Sequence, residues 1–260
     1  MTRTRLALLG LVLLAACGRK APVSAPAPVA QSASGPVIDS LWNLARRDFR
    51  LGRWAKAQLT FERLNLEFPP GDSRLARSRF LLGECYFAQK EHFQATREFR
   101  KVSDEMPNDP LAPIALLRAA DTYADLWRAP QLDPTYGQTA LATYQELLNR
   151  YPQDAAAPRA QAGIARLNEK FAQKAYLAGL YYLGYKAYDS AILYLKDLGA
   201  TYPRTTVAPL ALLKLVDAYK ALGYTEDVKE TCGYLRQTYP GAVGLDRACP
   251  AETTPAASGK

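Results

Sequence analysis

The segment ALATYQELLNRYP, residues 140–152, contains the pattern that decides the fold. A small residue, Ala140, lies twelve positions before Pro152, and the aromatic Tyr144 follows the alanine by four positions. This spacing occurs five times, so internal repeats organise most of the chain. The five pairs of a small or apolar residue with a proline are Ala57 with Pro69, Ala95 with Pro107, Ala140 with Pro152, Ala191 with Pro203, and Val228 with Pro240.

A second element precedes these pairs, a small or apolar residue followed three positions later by tyrosine. Small residues let two antiparallel helices approach closely, and aromatic residues one turn away fill the space beside them. Proline then ends the second helix, because it cannot donate a backbone hydrogen bond. The element occurs at Gly83 with Tyr86, Ala120 with Tyr123, Gly179 with Tyr182, and Val216 with Tyr219, whereas repeat one has Asp48 in place of the tyrosine.

These positions resemble the tetratricopeptide repeat. A single helix pair cannot bury its apolar face, so the pairs must stack on one another. The sequence therefore predicts an all-α solenoid of five helix pairs. Two irregularities interrupt it: an insertion of eight residues around 126–134 in repeat three, and a segment without proline at 159–183. We expect the second to be one long helix, about 25 residues and ~38 Å, that joins repeats three and four.

The N-terminus predicts a lipid anchor. Basic residues in 1–5 precede an apolar stretch, 6–16, that is too short to span a bilayer. The stretch ends in Leu14-Ala-Ala-Cys17, which resembles the lipobox of bacterial lipoproteins, and Gly18 favours sorting to the outer membrane. The expected organisation is a signal peptide at 1–16, a lipidated Cys17 with a Pro/Ala/Ser-rich tether at 17–36, repeats one to three at 37–153, repeats four and five at 154–245, and a disordered tail at 246–260.

Composition argues against an enzyme. The 260 residues include one histidine, His92, and four cysteines without a CxxC pair, so we expect no metal site. No GxGxxG or GxxxxGK[ST] motif is present, and we expect no cofactor. The net charge of +8 is spread thinly, without a block of lysine and arginine, and a nucleic-acid partner would conflict with export.

The order of the irregularities resembles the BamD family, the tetratricopeptide lipoproteins of the outer-membrane β-barrel assembly machinery. The resemblance is strongest in residues 132–152 and extends to Tyr181-Tyr182 and to the loop Phe68-Pro-Pro-Gly71, although Asp72, Ser73 and Cys249-Pro250 depart from it. It implies a lipid-anchored scaffold on the periplasmic face of the outer membrane. The implied partners are the periplasmic domains of a BamA-like β-barrel insertase, unfolded outer-membrane proteins and accessory lipoproteins. Another periplasmic tetratricopeptide lipoprotein, such as a secretin pilotin, is the alternative.

Three sets of residues are candidate sites. Exposed tyrosines of repeat four, Tyr185, Tyr188 and Tyr194, are candidates for the insertase contact that the resemblance implies, or else they pack between repeats. Cys232 and Cys249 either form a disulfide or leave Cys232 as a packed thiol, and Cys85 is expected to be free. A groove for the aromatic, carboxylate-bearing C-terminus of a barrel protein is predicted at Trp42, Arg46, Phe49, Arg50, Arg77, Phe80, Glu84 and Phe87, unless Trp42 and Phe49 simply pack repeat one.

Overall fold

A computed structural model describes residues 35–250 of the chain. This part forms eleven α-helices. Their bounds are α1 Gly35–Arg50, α2 Trp54–Glu67, α3 Leu75–Ala88, α4 His92–Glu105, α5 Ala112–Leu126, α6 Thr135–Arg150, α7 Ala157–Gly184, α8 Tyr188–Thr201, α9 Ala208–Leu222, α10 Thr225–Thr238 and α11 Leu245–Ala248.

The helices stack in the order of the chain, each packing mainly against the helices before and after it. Helices α1 to α10 form five antiparallel pairs, so the predicted solenoid is confirmed. The long helix is also confirmed: α7 runs over 28 residues, Ala157–Gly184, and includes all of the predicted segment 159–183. It is the first helix of repeat four and extends back to pack against α5 and α6 of repeat three.

Close approach between helices explains the small residues of the repeat. A Cβ atom added to Gly163 of α7 would lie 2.4 Å from the ring of Tyr144, which α6 contributes. A Cβ atom at Gly179 would lie 2.6 Å from Leu195 of α8. Real Cβ atoms do not approach other atoms this closely, so glycine lets a large buried side chain pack directly on the backbone of the next helix.

The second helix of each pair ends where the sequence predicts. Helix α6 ends at Arg150, just before Tyr151 and Pro152, and the Tyr151 N–H donates to the carbonyl oxygen of Leu147. Within four of the pairs, the turn between the two helices contains one residue of positive φ. These residues are Gly52, Lys90, Lys186 and Gly223.

Repeat three has the eight-residue insertion at this turn, and the structure shows what it contributes. Trp127, the first residue after α5, is 1% exposed. Its ring centroid lies 4.6 Å from that of Phe171 in the middle of α7. The Lys174 ammonium, also on α7, donates to the carbonyl oxygen of Leu132 at 3.0 Å. The insertion therefore attaches repeat three to the long helix.

The C-terminal end differs from the predicted tail. Residues 245–248 form α11, and Cys249, 3% exposed, is bonded to Cys232 of α10 in a disulfide. The Arg236 guanidinium adds a hydrogen bond to the Cys249 carbonyl oxygen at 2.7 Å. The prediction of disorder from residue 246 is therefore wrong for 246–249, because the disulfide and the burial of Leu245 hold this segment on the last repeat.

The predicted signal peptide, Cys17 and the tether up to residue 34 lie outside the described residues, as does the tail from 251. Between residues 35 and 250, no helix combines the length and the apolar character that crossing a membrane requires.

Candidate functional site

The aromatic residues predicted for a groove in repeat one pack inside that repeat. The ring centroid of Trp42 lies 6.0 Å from that of Phe61 and 6.3 Å from that of Phe68, both edge-on. Phe49 contacts Trp54 and the same Phe61. Phe61 is fully buried, so Trp42 and Phe49 build the interface between α1 and α2. The structure therefore supports the second alternative for Trp42 and Phe49, packing within repeat one, where Asp48 replaces the tyrosine of the other repeats.

One arginine of the predicted groove contacts one of these rings. Arg46 lies with its guanidinium carbon 5.6 Å from the centre of the Trp42 ring, on the exposed side of α1. A shallow cavity beside Arg46 and Arg50 is lined by α1 residues alone. Arg77 is exposed on α3, in the next repeat. The predicted cations therefore lie on two helices, Arg46 and Arg50 on α1 and Arg77 on α3.

Two repeat-two residues of the predicted groove, Glu84 and Phe87, contact one arginine of repeat three. Arg118, on α5, binds both carboxylate oxygens of Glu84, with Nε–Oε1 at 2.6 Å and Nη2–Oε2 at 2.9 Å. Its guanidinium carbon lies 4.4 Å from the centre of the Phe87 ring. Phe80, the remaining ring of this set, packs against the buried Phe99. Glu84 is therefore neutralised within the stack and is not free to bind a ligand.

Arg118 belongs to a polar chain that continues to α6. The hydroxyl of Tyr144 donates to Asp121 Oδ1 at 2.6 Å, and Arg118 lies 3.7 Å from the other oxygen of Asp121. Burial by itself lowers the pKa of Arg118, but hydrogen bonds to Glu84 and the nearby acidic charges outweigh it, so the net shift is upward. Burial, followed by the bond to Asp121, raises the pKa of Tyr144. Both groups keep one protonation state at neutral pH, which suits a structural role.

Sequence reasoning overlooked Arg118, although a signal was present. It is the only cation of α5, APIALLRAADTYADL, and it directly follows the apolar run 112–117. A cation on a buried helix requires a partner. The partner, Glu84, had been identified as a ligand-binding residue instead.

Catalytic or metal chemistry has no visible centre in the described part of the chain. Within residues 35–250, no three His, Cys, Asp or Glu side chains come together to hold a metal ion. His92 begins α4, and burial lowers its pKa. Its ring packs edge-on against Phe87 at 5.5 Å. Burial also raises the pKa of the free thiol Cys85 to about 12, so the reactive thiolate is scarce at neutral pH.

Repeat four presents an exposed tyrosine cluster where α7 ends and α8 begins. Tyr185 is 72% exposed, and its ring centroid lies 4.8 Å from that of Tyr181, which is 60% exposed. Tyr194 of α8 is 38% exposed and stacks on Tyr182 at 5.3 Å. We call Tyr181, Tyr182, Tyr185 and Tyr194 the tyrosine surface. Tyr188, the third predicted residue, is half-buried at the start of α8.

A cavity beside Tyr194 extends the tyrosine surface. It measures about 520 Å³ and lies between α7, α8 and the repeat-three insertion. Its apolar lining includes Phe171 and Tyr202, and Lys174 and Asp197 lie at its polar side. The sequence pointed to Tyr185 and Tyr194 as exposed residues, and the structure adds Tyr181 and this neighbouring cavity.

Comparison with known proteins places the chain in a family. A family model described as YfiO, outer membrane lipoprotein, matches residues 38–234. The outer membrane protein assembly factor BamD of Caulobacter vibrioides is 25% identical over 205 residues, which cover 78% of this chain and 67% of that protein. BamD of Neisseria meningitidis is 24% identical over 251 residues, with 92% of each chain covered.

Among solved structures, the TPR2AB domain of yeast Sti1 in its pHSP90 complex superposes with a TM-score of 0.41 and 13% identity, covering 83% of this chain and 82% of that one. The sequence matches are more informative, because the YfiO model spans both groups of repeats and the long helix between them. This chain belongs to the YfiO/BamD family of outer membrane lipoproteins.

Proposed function

We propose that this chain is a non-catalytic, lipid-anchored scaffold on the periplasmic face of the outer membrane, where it assists the assembly of β-barrel proteins. The single observation that carries the proposal is the family match over residues 38–234, together with relatives named as outer membrane protein assembly factors. The described fold is consistent with it, because a stack of helix pairs offers extended surfaces for protein partners.

The tyrosine surface is the proposed contact with the periplasmic domains of a BamA-like insertase. Tyrosine buries a large area at low cost in conformational entropy, and it is enriched among residues that dominate binding energy. Tyr181 and Tyr185 are exposed well beyond half; Tyr181 lies in the last turn of α7, and Tyr185 is the residue that caps the C-terminus of this helix. A partner can therefore cover them without first ordering the backbone.

Unfolded barrel proteins are the proposed substrate of repeats one to three. Arg77 is the member of the predicted groove that remains exposed on α3 of repeat two. A guanidinium can bind a terminal carboxylate through two parallel hydrogen bonds. Accessory lipoproteins complete the proposed set of partners.

The insertase contact is tested by affinity purification from detergent-solubilised outer membranes. We expect a β-barrel insertase to co-elute, and we expect Tyr181→Ala/Tyr185→Ala to weaken its binding by at least about tenfold, as for central interface residues. Tyr224→Ala is the matched control, since Tyr224 is 46% exposed in repeat five. Co-elution of a secretin in place of an insertase would instead identify the chain as a pilotin.

Substrate binding is tested with a peptide that copies the C-terminus of a barrel protein. We expect C-terminal amidation or Arg77→Ala to weaken binding by about tenfold, the effect of losing a charge-assisted hydrogen bond. Arg159→Ala, which removes an exposed arginine at the start of α7, should leave binding unchanged. Equal affinity for the free and amidated peptides would exclude recognition of the carboxylate.

A further inference from the structure

The outward side of α1 is both basic and apolar. Arg46, Arg47 and Arg50 are exposed along it. Val37 and Leu44, two turns apart on the same side of the helix, are 43% and 36% exposed. Leu51, the first residue after α1, is 57% exposed. The side opposite, with Ile38 and Ala45, is buried against α2.

The carboxylates of α1 reach Arg47 but not Arg46 or Arg50. Asp39 accepts a hydrogen bond from Arg74 at 2.6 Å. Asp48 is buried and lies 3.4 Å from Arg53 and 3.8 Å from Arg47. Among the residues that the structure describes, no carboxylate lies within ion-pair distance of Arg46 or Arg50. We call Arg46, Arg47, Arg50, Leu44 and Leu51 the basic face of α1.

We propose that the basic face of α1 docks on the anionic phospholipid headgroups of the membrane in which the chain is anchored. The proposal rests on the proposed function for one point, the lipid on Cys17. Guanidinium groups bind phosphate oxygens, and each basic residue near an anionic bilayer contributes to binding. Leucines beside the arginines can enter the boundary between headgroups and acyl chains, as in helices that lie on a membrane surface.

The position of α1 in the chain supports a membrane as the surface that covers the basic face of α1. Helix α1 begins at Gly35, so 17 residues separate it from Cys17. A chain of that length can reach at most about 60 Å, which keeps α1 within reach of the bilayer. The segment 18–34 cannot itself satisfy the basic face, because its charged residues are Arg19 and Lys20 and it has no acidic residue.

Docking of α1 would set the orientation of the solenoid at the membrane; it would not be what keeps the chain there. The acyl chains on a lipobox cysteine already hold a protein at the membrane. A second contact at α1 would fix which side of repeat one faces the bilayer. Because consecutive helices pack in series, fixing α1 would also fix the direction in which Arg77 and the tyrosine surface point.

The test uses the mature chain, residues 17–260, with Cys17→Ser so that no lipid is attached. Binding to vesicles of phosphatidylcholine is measured by co-sedimentation, with and without phosphatidylglycerol. We expect binding only to the anionic vesicles and its loss at about 1 M salt, where the Debye length falls to about 3 Å. Arg46→Gln/Arg50→Gln should weaken it by about fivefold for each arginine removed.

Two further variants separate charge from folding and from the apolar contribution. Arg204→Gln/Arg247→Gln removes the same charge from exposed arginines of the C-terminal repeats and should leave vesicle binding unchanged. Leu51→Ser should weaken binding while preserving its dependence on salt. Circular dichroism confirms that each variant is folded.

Equal binding to neutral and anionic vesicles, or an equal loss in the two double-arginine variants, would overturn the docking proposal. A contact with an acidic protein would give salt-sensitive binding to that protein and none to vesicles, which also overturns it. The insertase and peptide measurements use Tyr181, Tyr185 and Arg77. Failure of the proposed function is therefore distinguishable from failure of membrane docking.

Discussion

Repeats one to three and repeats four and five share one fold but are held together by different forces. In the first group, ion pairs join separate helices: Arg118 binds Glu84 across α5 and α3, and Arg100 binds Glu146 across α4 and α6. In the second group, the ion pairs that the structure describes are Lys214 with Asp217 and Lys229 with Glu226, both exposed and both within one helix.

Both groups have an apolar core, and the second group adds a covalent bond. Its core contains Leu195, Leu198 and Val216, all fully buried, and the Cys232–Cys249 disulfide closes its end. Charge pairs with defined geometry specify which helix packs on which, whereas apolar contacts tolerate more variation. The comparison shows that one repeat pattern can be reinforced either by ion pairs between helices or by a disulfide.

We expect substitutions to reduce stability most at the contact between the two groups, where the repeat-three insertion packs on α7. Trp127 is 1% exposed and its ring contacts Phe171 of α7. We expect Trp127→Ala to lower the free energy of unfolding by about 3–5 kcal/mol, because it removes a large buried ring and leaves a cavity. We also expect the two groups to unfold in separate steps. Denaturant titration followed by circular dichroism measures both effects.

Leu132 provides the control for this joint, because it lies in the same insertion and is 52% exposed. Leu132→Ala should change the free energy of unfolding by no more than about 0.5 kcal/mol. If Trp127→Ala were equally mild, the insertion would not be what couples the groups.

Removal of the disulfide should affect only the second group. The two cysteines are 17 residues apart, and closing a loop of that length stabilises a protein by about 3 kcal/mol in the chain-entropy model. We expect Cys232→Ser/Cys249→Ser to lose about this amount and to speed hydrogen exchange in α10 and α11. Exchange in α3 to α5 should not change. Reductant should reproduce the effect in the wild type and have none on the variant.

The ion pair of the first group offers the complementary test. Glu84→Gln leaves the Arg118 guanidinium largely buried without its carboxylate, and we expect it to cost about 2 kcal/mol. The matched change in the second group is Glu226→Gln, whose partner Lys229 is exposed, with an expected cost below about 0.5 kcal/mol. Urea unfolding compares the two variants, and equal costs would remove the distinction between the groups.

The smallest expected effect is a change with pH in the folding stability of the first group. Burial lowers the pKa of His92 in the folded state; the charge of Asp125 opposes this, and the charges of Lys90 and Arg128 add to it. The unfolded chain therefore binds the proton more readily, and folding loses stability as pH falls below about 6.5. We expect His92→Gln to reduce this loss.

Because His92 is the only histidine, thermal unfolding of wild type and variant between pH 7.5 and 5 isolates its contribution from that of the carboxylates. A larger acid sensitivity in His92→Gln than in the wild type would contradict the direction of the pKa shift.

The sequence predicted the helices better than it predicted their contacts. Spacing of alanine, tyrosine and proline was enough for the five pairs and for α7, because these residues act locally through helix approach and termination. The same periodicity indicates which side of a helix is apolar, but it does not name the partner. Trp42 and Phe49 were therefore interpreted as open groove residues although they meet Phe61.

Position in the stack explains a second difference. Leu44 is apolar and directly precedes the buried Ala45 of repeat one, yet it is 36% exposed. Helix α1 is the first of the described stack and packs mainly against α2, so one side of it lacks a neighbour. At the other end, α11 has only four residues, too few for a periodic pattern, and its placement depends on the disulfide.

The continuity of α7 has a geometric consequence for the whole chain. Each residue of an α-helix adds a rise of ~1.5 Å and a rotation of ~100°. The 28 residues of α7 therefore fix both the distance between its two ends, about 42 Å, and the rotation of one end relative to the other around the helix axis. One residue inserted near its middle would shift repeats four and five by ~1.5 Å and turn them by about 100° around the helix axis. The direction in which the tyrosine surface faces, relative to the basic face of α1, is therefore set by the number of residues in α7. Substitutions in α7 are for this reason tolerated far better than insertions or deletions.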